Sequence, residues 1–327
     1  MDNHPISCKL LGQLYGLDGR RLQEQYIRHL SDFMDWDQLP HADNWVLFEQ
    51  NIGEYLSLDE VCLSQGELYT VLTNKDAKGK KGALLAMVKG TVSDQVIAVL
   101  ERIPYRLRKK VKEVTLDLAP TMERIARRAF PRARLVSDRF HVQQLAGDAV
   151  QQIRIQYRWE AIDQENSEME LAKQLNRPHV PDILENGDSL KQLLARSRHL
   201  LFKDETNWTA SQQHRSELLF ARYPLLEKAY RLSRKLSHIF SGTREKGVGF
   251  TRLAKWYDEV EKSEIKAFST VARTIQNHYH TILNYFDNRH TNASAESFNA
   301  KIKALRAQFR GVRNVEFFMF RLAKIYA

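Results

Sequence analysis

The stretch EVTLDLAPTMERIARRAFPRARLVSDRFHV, residues 113–142, decides the fold. Val114 to Leu118 is a short apolar run broken by one carboxylate, Asp117. Pro120 follows, where a first helical turn tolerates proline, and Met122, Ile125, Ala126 and Ala129 recur at helical spacing. Pro131 stops that helix, and Leu135-Val136 opens a second apolar run that ends at Asp138 and His141. The pattern predicts strand, helix, strand, a βαβ unit whose strands are most simply parallel. In such sheets chemistry gathers beyond the carboxyl ends of the strands, which is where Asp117 falls. A charge closing a buried strand needs a partner; an equally good account makes Asp117 a helix N-cap.

Working back from this unit, Val92 to Val111 has an amphipathic helical pattern through Val96, Val99, Leu100 and Ile103. Before it lie three strand-like runs, Tyr55–Leu63, Leu68–Thr73 and Ala83–Val88, the last two split by the turn Lys78-Gly79-Lys80-Lys81-Gly82. They predict an antiparallel meander, with Asp59 inside the first strand and Glu60 facing the other way. Residues 5–35 have two helical patterns around Gly16-Leu17-Asp18-Gly19, compatible with a helix-turn-helix offering Arg20, Arg21 and Arg28 to phosphates or with a hairpin docked on the main body. Pro40 and His41 to Asn44 suggest a boundary.

After His141 the pattern is helical for more than a hundred residues. Candidate helices are 143–164, 190–202, 211–240 and 250–286, with Trp159, Trp208 and Trp256 as core anchors and the arginines (Arg154 among them) mostly on solvated faces. Last comes NRHTNASAESFNAKIKALRAQFRG, 288–311. Asn292 or Ser294 can cap a helix that Gly311 ends. Ala295, Phe298, Ile302, Leu305 and Phe309 form one apolar stripe, and Glu296, Asn299, Lys303, Arg306 and Arg310 repeat its spacing one residue later. The helix thus offers a carboxylate near its start and a basic rail beyond it.

Composition narrows the classes. Fifty Lys+Arg against 40 Asp+Glu give a net charge of +10, which favours a polyanionic partner, nucleic acid first. Cys8 and Cys62 are the only cysteines, so a disulfide framework and a Cys-rich zinc finger are excluded and a reducing cytoplasm is expected. No apolar run approaches the ~20 residues of a membrane span, and no signal-peptide pattern opens the chain.

Two strand-borne aspartates with a late helix-borne glutamate can hold two divalent cations through hard oxygen ligands. With this order of elements the chain resembles the ribonuclease H-like fold, and more narrowly the DDE transposases of bacterial insertion sequences. The likeness rests on Leu58-Asp59-Glu60, on residues 114–120, on Phe130-Pro131 with Asp138-Arg139-Phe140-His141-Val142, and on 291–299, and it runs from about residue 50 onward. It implies an α/β ribonuclease H-like mixed sheet with a large all-α insertion and a small N-terminal helical segment. The corresponding divisions are 1–45, 46–145, 146–284 and 285–327. It also implies that Asp59, Asp117 and Glu296 bind two Mg²⁺ or Mn²⁺ ions and cleave and join DNA at the element's ends. Asp138, His141, Asn292 and Asn299 are auxiliary candidates, and Lys303, Arg306 and Arg310 are candidate DNA contacts. Asp138 and His141 fit a structural or DNA-orienting pair better than metal ligands.

The expected partners are terminal-repeat and target DNA, further copies of the chain on that DNA, and no membrane; the expected place is the cytoplasm, at the nucleoid. Many relatives begin with a Cys-rich zinc-binding segment, and these cysteines are absent here, so end recognition is reduced or supplied by a separate polypeptide. The rival functions are a non-catalytic DNA-binding regulator derived from a transposase and a ribonuclease H-like nuclease without strand transfer. Because the basic excess is spread over many helices, DNA affinity should fall steeply with salt, log K against log[salt] having a slope of about −0.9 per phosphate contacted. Binding titrations across a salt series check this; a flat dependence would detach the charge from nucleic acid.

Overall fold

A computed structural model of the chain describes residues 1–63, 66–309 and 314–327. The chain divides into two compact units, Met1–Asp138 with His290–Ala327, and Arg139–Arg289.

In order, the first unit contains α1 (Cys8–Tyr15), α2 (Gly19–Gln25), β1 (Trp45–Leu47), β2 (Tyr55–Cys62), β3 (Leu68–Asn74), β4 (Leu84–Lys89), α3 (Ser93–Leu100), α4 (Tyr105–Arg108), β5 (Glu113–Leu116), α5 (Pro120–Ala129) and β6 (Arg134–Ser137). The second unit supplies α6 (Arg139–Gln174), α7 (Leu190–Arg196), α8 (Ala210–Arg222), α9 (Pro224–Gly242), α10 (Lys246–Ser263), α11 (Lys266–Asn277), α12 (Tyr279–Leu283) and α13 (Tyr285–Asn288). The first unit then resumes with α14 (Ala293–Gln308) and α15 (Val315–Tyr326).

The six strands form one mixed sheet in the order β1-β4-β3-β2-β5-β6. β2, β3 and β4 are the antiparallel meander, and β2, β5 and β6 run parallel. This is the ribonuclease H-like arrangement, with one addition. β1 pairs antiparallel with β4 (Trp45 opposite Val88), an edge strand too short to show a period of its own. The turn between β3 and β4 needs left-handed backbone at Gly79 and Gly82, φ 67° and 84°, where glycine has no steric cost. The single helix expected over 92–111 is two, because Pro104 has no N–H to continue α3. Arg108 then ties that corner to the carbonyls of Ile103 and Ala129 at 2.9 and 2.8 Å.

Alternation along the strands divides the buried residues between two faces. Leu56, Leu58, Leu72, Val114 and Leu116 pack against α3 and α5 through Val96, Leu100, Met122, Ile125 and Ala129. On the other face, Val61, Tyr69, Val71 and Met87 meet Phe298, Ile302, Leu305 and Phe309 of α14, and Phe317 and Phe320 of α15. The apolar stripe of α14 therefore lies on the sheet as its spacing predicts. The N-terminal helices close against the same cluster through Tyr26 and Phe33. There the fully buried Arg321 donates to the carbonyls of Met1, His4 and Ile6. Residues 1–45 are thus a docked segment, with Arg20, Arg21 and Arg28 exposed.

The second unit is all helical. Its core holds Trp256, whose indole N–H donates to the Leu232 carbonyl at 2.9 Å, with Phe240, Phe268 and Phe286. Trp159, expected inside, is 60% exposed, because the buried positions of the long α6 thin out toward its C-terminal half. Trp208 is half-buried against Tyr230. The expected helix 211–240 breaks at Tyr223 because Pro224 starts a new one. The expected helix 250–286 breaks where Glu264 adopts φ 58° and again at His278 and Asn284. Arg154, one of the arginines expected mostly on solvated faces or along a nucleic-acid groove, is buried and bonded to Gln151 and the Leu194 carbonyl. No helix among the described residues is long and apolar enough to cross a membrane.

Ile302 is fully buried between α14 and the sheet. Ile302→Ala should therefore cost about 3 kcal/mol in a urea titration. Its exposed neighbour supplies the control: Lys303→Ala should stay within about 0.5 kcal/mol of the parent.

Candidate active site

The parallel register sets Ser57 opposite Thr115 and Thr115 opposite Val136. Two residues further along each strand stand Asp59, Asp117 and Asp138, and the Asp138 N–H still donates to the Leu116 carbonyl at 2.8 Å. Since side chains alternate, all three acids belong to the face that α14 covers. Each is placed by its own local chemistry. Asp59 accepts from the Glu60 N–H at 2.8 Å. Asp117 accepts from the Ala119 N–H at 2.8 Å, a turn that leads the chain into α5. The N-cap of α5 is Ala119, so Asp117 is not the cap, although one of its oxygens shapes the approach to the helix.

α14 crosses this face, and Asn299 fastens the two together. Its Nδ2 donates to Asp59 Oδ2 at 2.9 Å and to the Glu60 carbonyl at 3.2 Å. One turn earlier Glu296 lies in the first turn of α14, exposed. A carboxylate oxygen of Glu296 and one of Asp138 lie within 4.8 Å of each other. The acid that the structure draws to Glu296 is therefore Asp138, named from sequence only as an auxiliary candidate. Asp59 and Asp117 share the face without joining that cluster among the described residues. Asp138 is fully buried, while Asp59 and Asp117 are half-buried. His141 is the third residue of α6 and belongs to the second unit.

The surroundings are polar. Asn292, at the N-cap position of α14, is fully buried, and neither atom of its carboxamide has a partner among the described residues. Asn299 Oδ1 and Ser294 Oγ are in the same condition. Burial, and then the charge of Asp117, pushes the Glu60 carboxyl above its usual range. One strand row below the acids lie the buried hydroxyls of Thr73, Ser57 and Thr115, opposite one another on β3, β2 and β5. The Lys75 ammonium crosses to donate to Thr115 Oγ1. Glu113, also buried on this face, pairs with His290 Nδ1 at 2.6 Å and with Arg134 at 3.5 Å. Lys75, Glu113 and His290 were not singled out from sequence: Lys75 just follows β3, Glu113 begins β5 and His290 precedes α14, places where a polar or charged residue is ordinary.

Carboxylates and an orphaned carboxamide oxygen on one face are hard donors, which suit a divalent cation better than a softer metal. The basic rail of α14 needs correction. Lys303 is exposed, as expected. Arg306 is instead buried, paired with Glu67 at 3.2 Å and set over the Phe318 ring. Arg310 and Gly311 lie outside the described residues.

Comparison with known proteins adds two findings. The profile of a transposase family, DDE transposases of the ISL3 type, matches residues 56–322. The chain is also similar to the transposase for insertion sequence element IS1001 of Bordetella parapertussis, 26% identical over 273 residues. That alignment takes in 82% of this chain but 60% of the relative, so the chain spans less than two thirds of that protein's length. No solved structure matches.

Removing the Asn299 amide takes a charge-assisted donor from Asp59. Asn299→Ala should cost about 1–3 kcal/mol. The cost should shrink in an Asp59→Ala background, a coupling that urea titration of the double-mutant cycle measures. Strict additivity would mean that the contact does not organise Asp59.

Proposed function

Since the chain belongs to the ISL3-type DDE transposase family, we propose that it cuts DNA at the ends of an insertion sequence and joins the freed ends to a target. What supports this most is one arrangement: Asp59 within β2 beside Asp117, which follows the adjacent parallel strand β5, both under the helix that carries Glu296 and is tied to Asp59 by Asn299. In this reading Asp59, Asp117 and Glu296 bind two divalent cations, Mg²⁺ or Mn²⁺. Such ions supply Lewis-acid activation of the phosphodiester and charge neutralisation.

The chain's own residues then have distinct tasks. Asp117, with one oxygen engaged by the Ala119 amide, presents the other in a set direction. The Glu60 N–H and Asn299 each hold one oxygen of Asp59, which fixes the orientation of its carboxylate. Glu296, exposed at the start of α14, reaches the ligands from outside the sheet. In cleavage a water oxygen bonds to phosphorus and the 3′-oxygen of the element's end leaves. In joining, that 3′-hydroxyl bonds to a target phosphorus and the target's 3′-oxygen leaves. Exposed cations such as Lys303 hold the flanking phosphates. Assembly of several copies on DNA, and a separate polypeptide that reads the terminal repeat, belong to the same proposal.

The closeness of Asp138 to Glu296 favours a second assignment beside the first, with Asp138 as a further ligand. Substitution separates them. Asp59→Asn, Asp117→Asn and Glu296→Gln should each abolish metal-dependent cleavage of a duplex carrying the element's end, while DNA binding is kept or strengthened, because each removes one negative charge and one hard ligand. Asp138→Asn should reduce the rate without removing metal dependence. A folded Glu296→Gln chain that cuts at the parental rate would refute the three-acid assignment. An inactive Asp138→Asn beside an active Asp59→Asn would move the first carboxylate to Asp138.

A further inference from the structure

Lys75 has no part in the chemistry above, yet its ammonium lies on the acidic face. It follows β3 directly, and its side chain reaches over β2 to donate to Thr115 Oγ1 on β5. Thr115 is two residues before Asp117 on one strand and opposite Val136, two residues before Asp138, on the next. An ammonium at Thr115 is therefore one pleat repeat, about 7 Å, from the row of acids. Around it stand the carboxylates of Glu113, Asp138 and Asp76; Glu113 is shared with His290 and Arg134. Burying a lysine is costly, and the cost is visible here: burial pulls its pKa down to about 8, against the upward pull of those three carboxylates. At neutral pH it remains mostly a cation. The hydroxyls of Ser57 and Thr73, in the same strand row as Thr115, have no partner among the described residues.

We propose that Lys75 is a positioning residue, a built-in cation that holds the acidic face together before divalent metal arrives and opposes metal once bound. This rests on the acids being metal ligands. It follows that the lysine and the metals act as alternative sources of positive charge. Without Lys75 the carboxylates repel one another more strongly in the metal-free protein, and a dication meets less repulsion when it binds.

The experiment compares the full chain with Lys75→Met, which keeps the length of the side chain, and with Lys75→Arg, which keeps the charge. Melting temperature is measured in EDTA and across a Mn²⁺ titration, and Mn²⁺ affinity by calorimetry. Lys75→Met should melt lower than the parent in EDTA, bind Mn²⁺ about tenfold more tightly, and recover its stability as Mn²⁺ is added. Lys75→Arg should match the parent in both. A purely structural lysine would lower the melting temperature without moving the Mn²⁺ affinity. Unchanged or weaker Mn²⁺ binding by folded Lys75→Met overturns the proposal. So does a Lys75→Met chain that stays unfolded in Mn²⁺, because one cation should then have replaced the other. A parental chain that takes up no Mn²⁺, with Lys75→Met no different, overturns the metal reading of the acids and this inference with it.

Discussion

Like charges in one row across neighbouring strands repel, and this chain concentrates them by register. Once Ser57 is opposite Thr115 and Thr115 opposite Val136, the pleat leaves no freedom in where Asp59, Asp117 and Asp138 fall. A slip of one residue in any of the three strands would turn its acid to the far face, into the cluster of Leu58, Leu116 and Ile125. The apolar alternation that builds that cluster therefore also aims the acids. The repulsion that results is offset locally, by the amides of Glu60 and Ala119, by Asn299, and by the lysine beneath the row.

α14 meets two demands with one helical period. Ala295, Phe298, Ile302, Leu305 and Phe309 fix its height and direction on the sheet, each buried. Glu296 and Asn299 follow one position later, so whatever seats the stripe also seats them. Upstream, the His290–Glu113 pair anchors the chain just before the helix starts. The helix is thereby held from its apolar side, from its approach and through Asp59, and Glu296 stays free of all three.

The parts of this architecture legible in the sequence are those that a local period encodes. The meander, the βαβ unit and the stripe of α14 all announce themselves within a dozen residues. What stayed hidden depends on partners far away. Arg306 has the spacing of a solvated rail, but Glu67, more than two hundred positions earlier, claims it. Asp138 reads as the end of a strand, and only the tertiary arrangement sets it beside Glu296. Lys75 follows a strand like any turn lysine, and nothing near it in sequence says that its ammonium crosses to β5. Trp159 fails for the opposite reason: helical periodicity marks a face without saying whether anything covers it. Asp59 and Glu296 were legible because each lies on an element whose own pattern was strong, and Asp117 because it directly follows one.

The face of the sheet that bears the acids is covered by α14 and α15, which come after the whole of Arg139–Arg289 in the chain. During synthesis the strands are finished early, while Val61, Tyr69, Val71 and Met87 wait for their cover until the helical unit has been made. At ~5–20 residues per second that wait lasts on the order of ten seconds or more. The half-built protein is sticky, with an apolar sheet face open to its neighbours. Newly made chains should therefore depend on chaperones more than the finished protein's stability suggests, and a ribosome that stalls in the helical region releases a sheet whose apolar face is never covered.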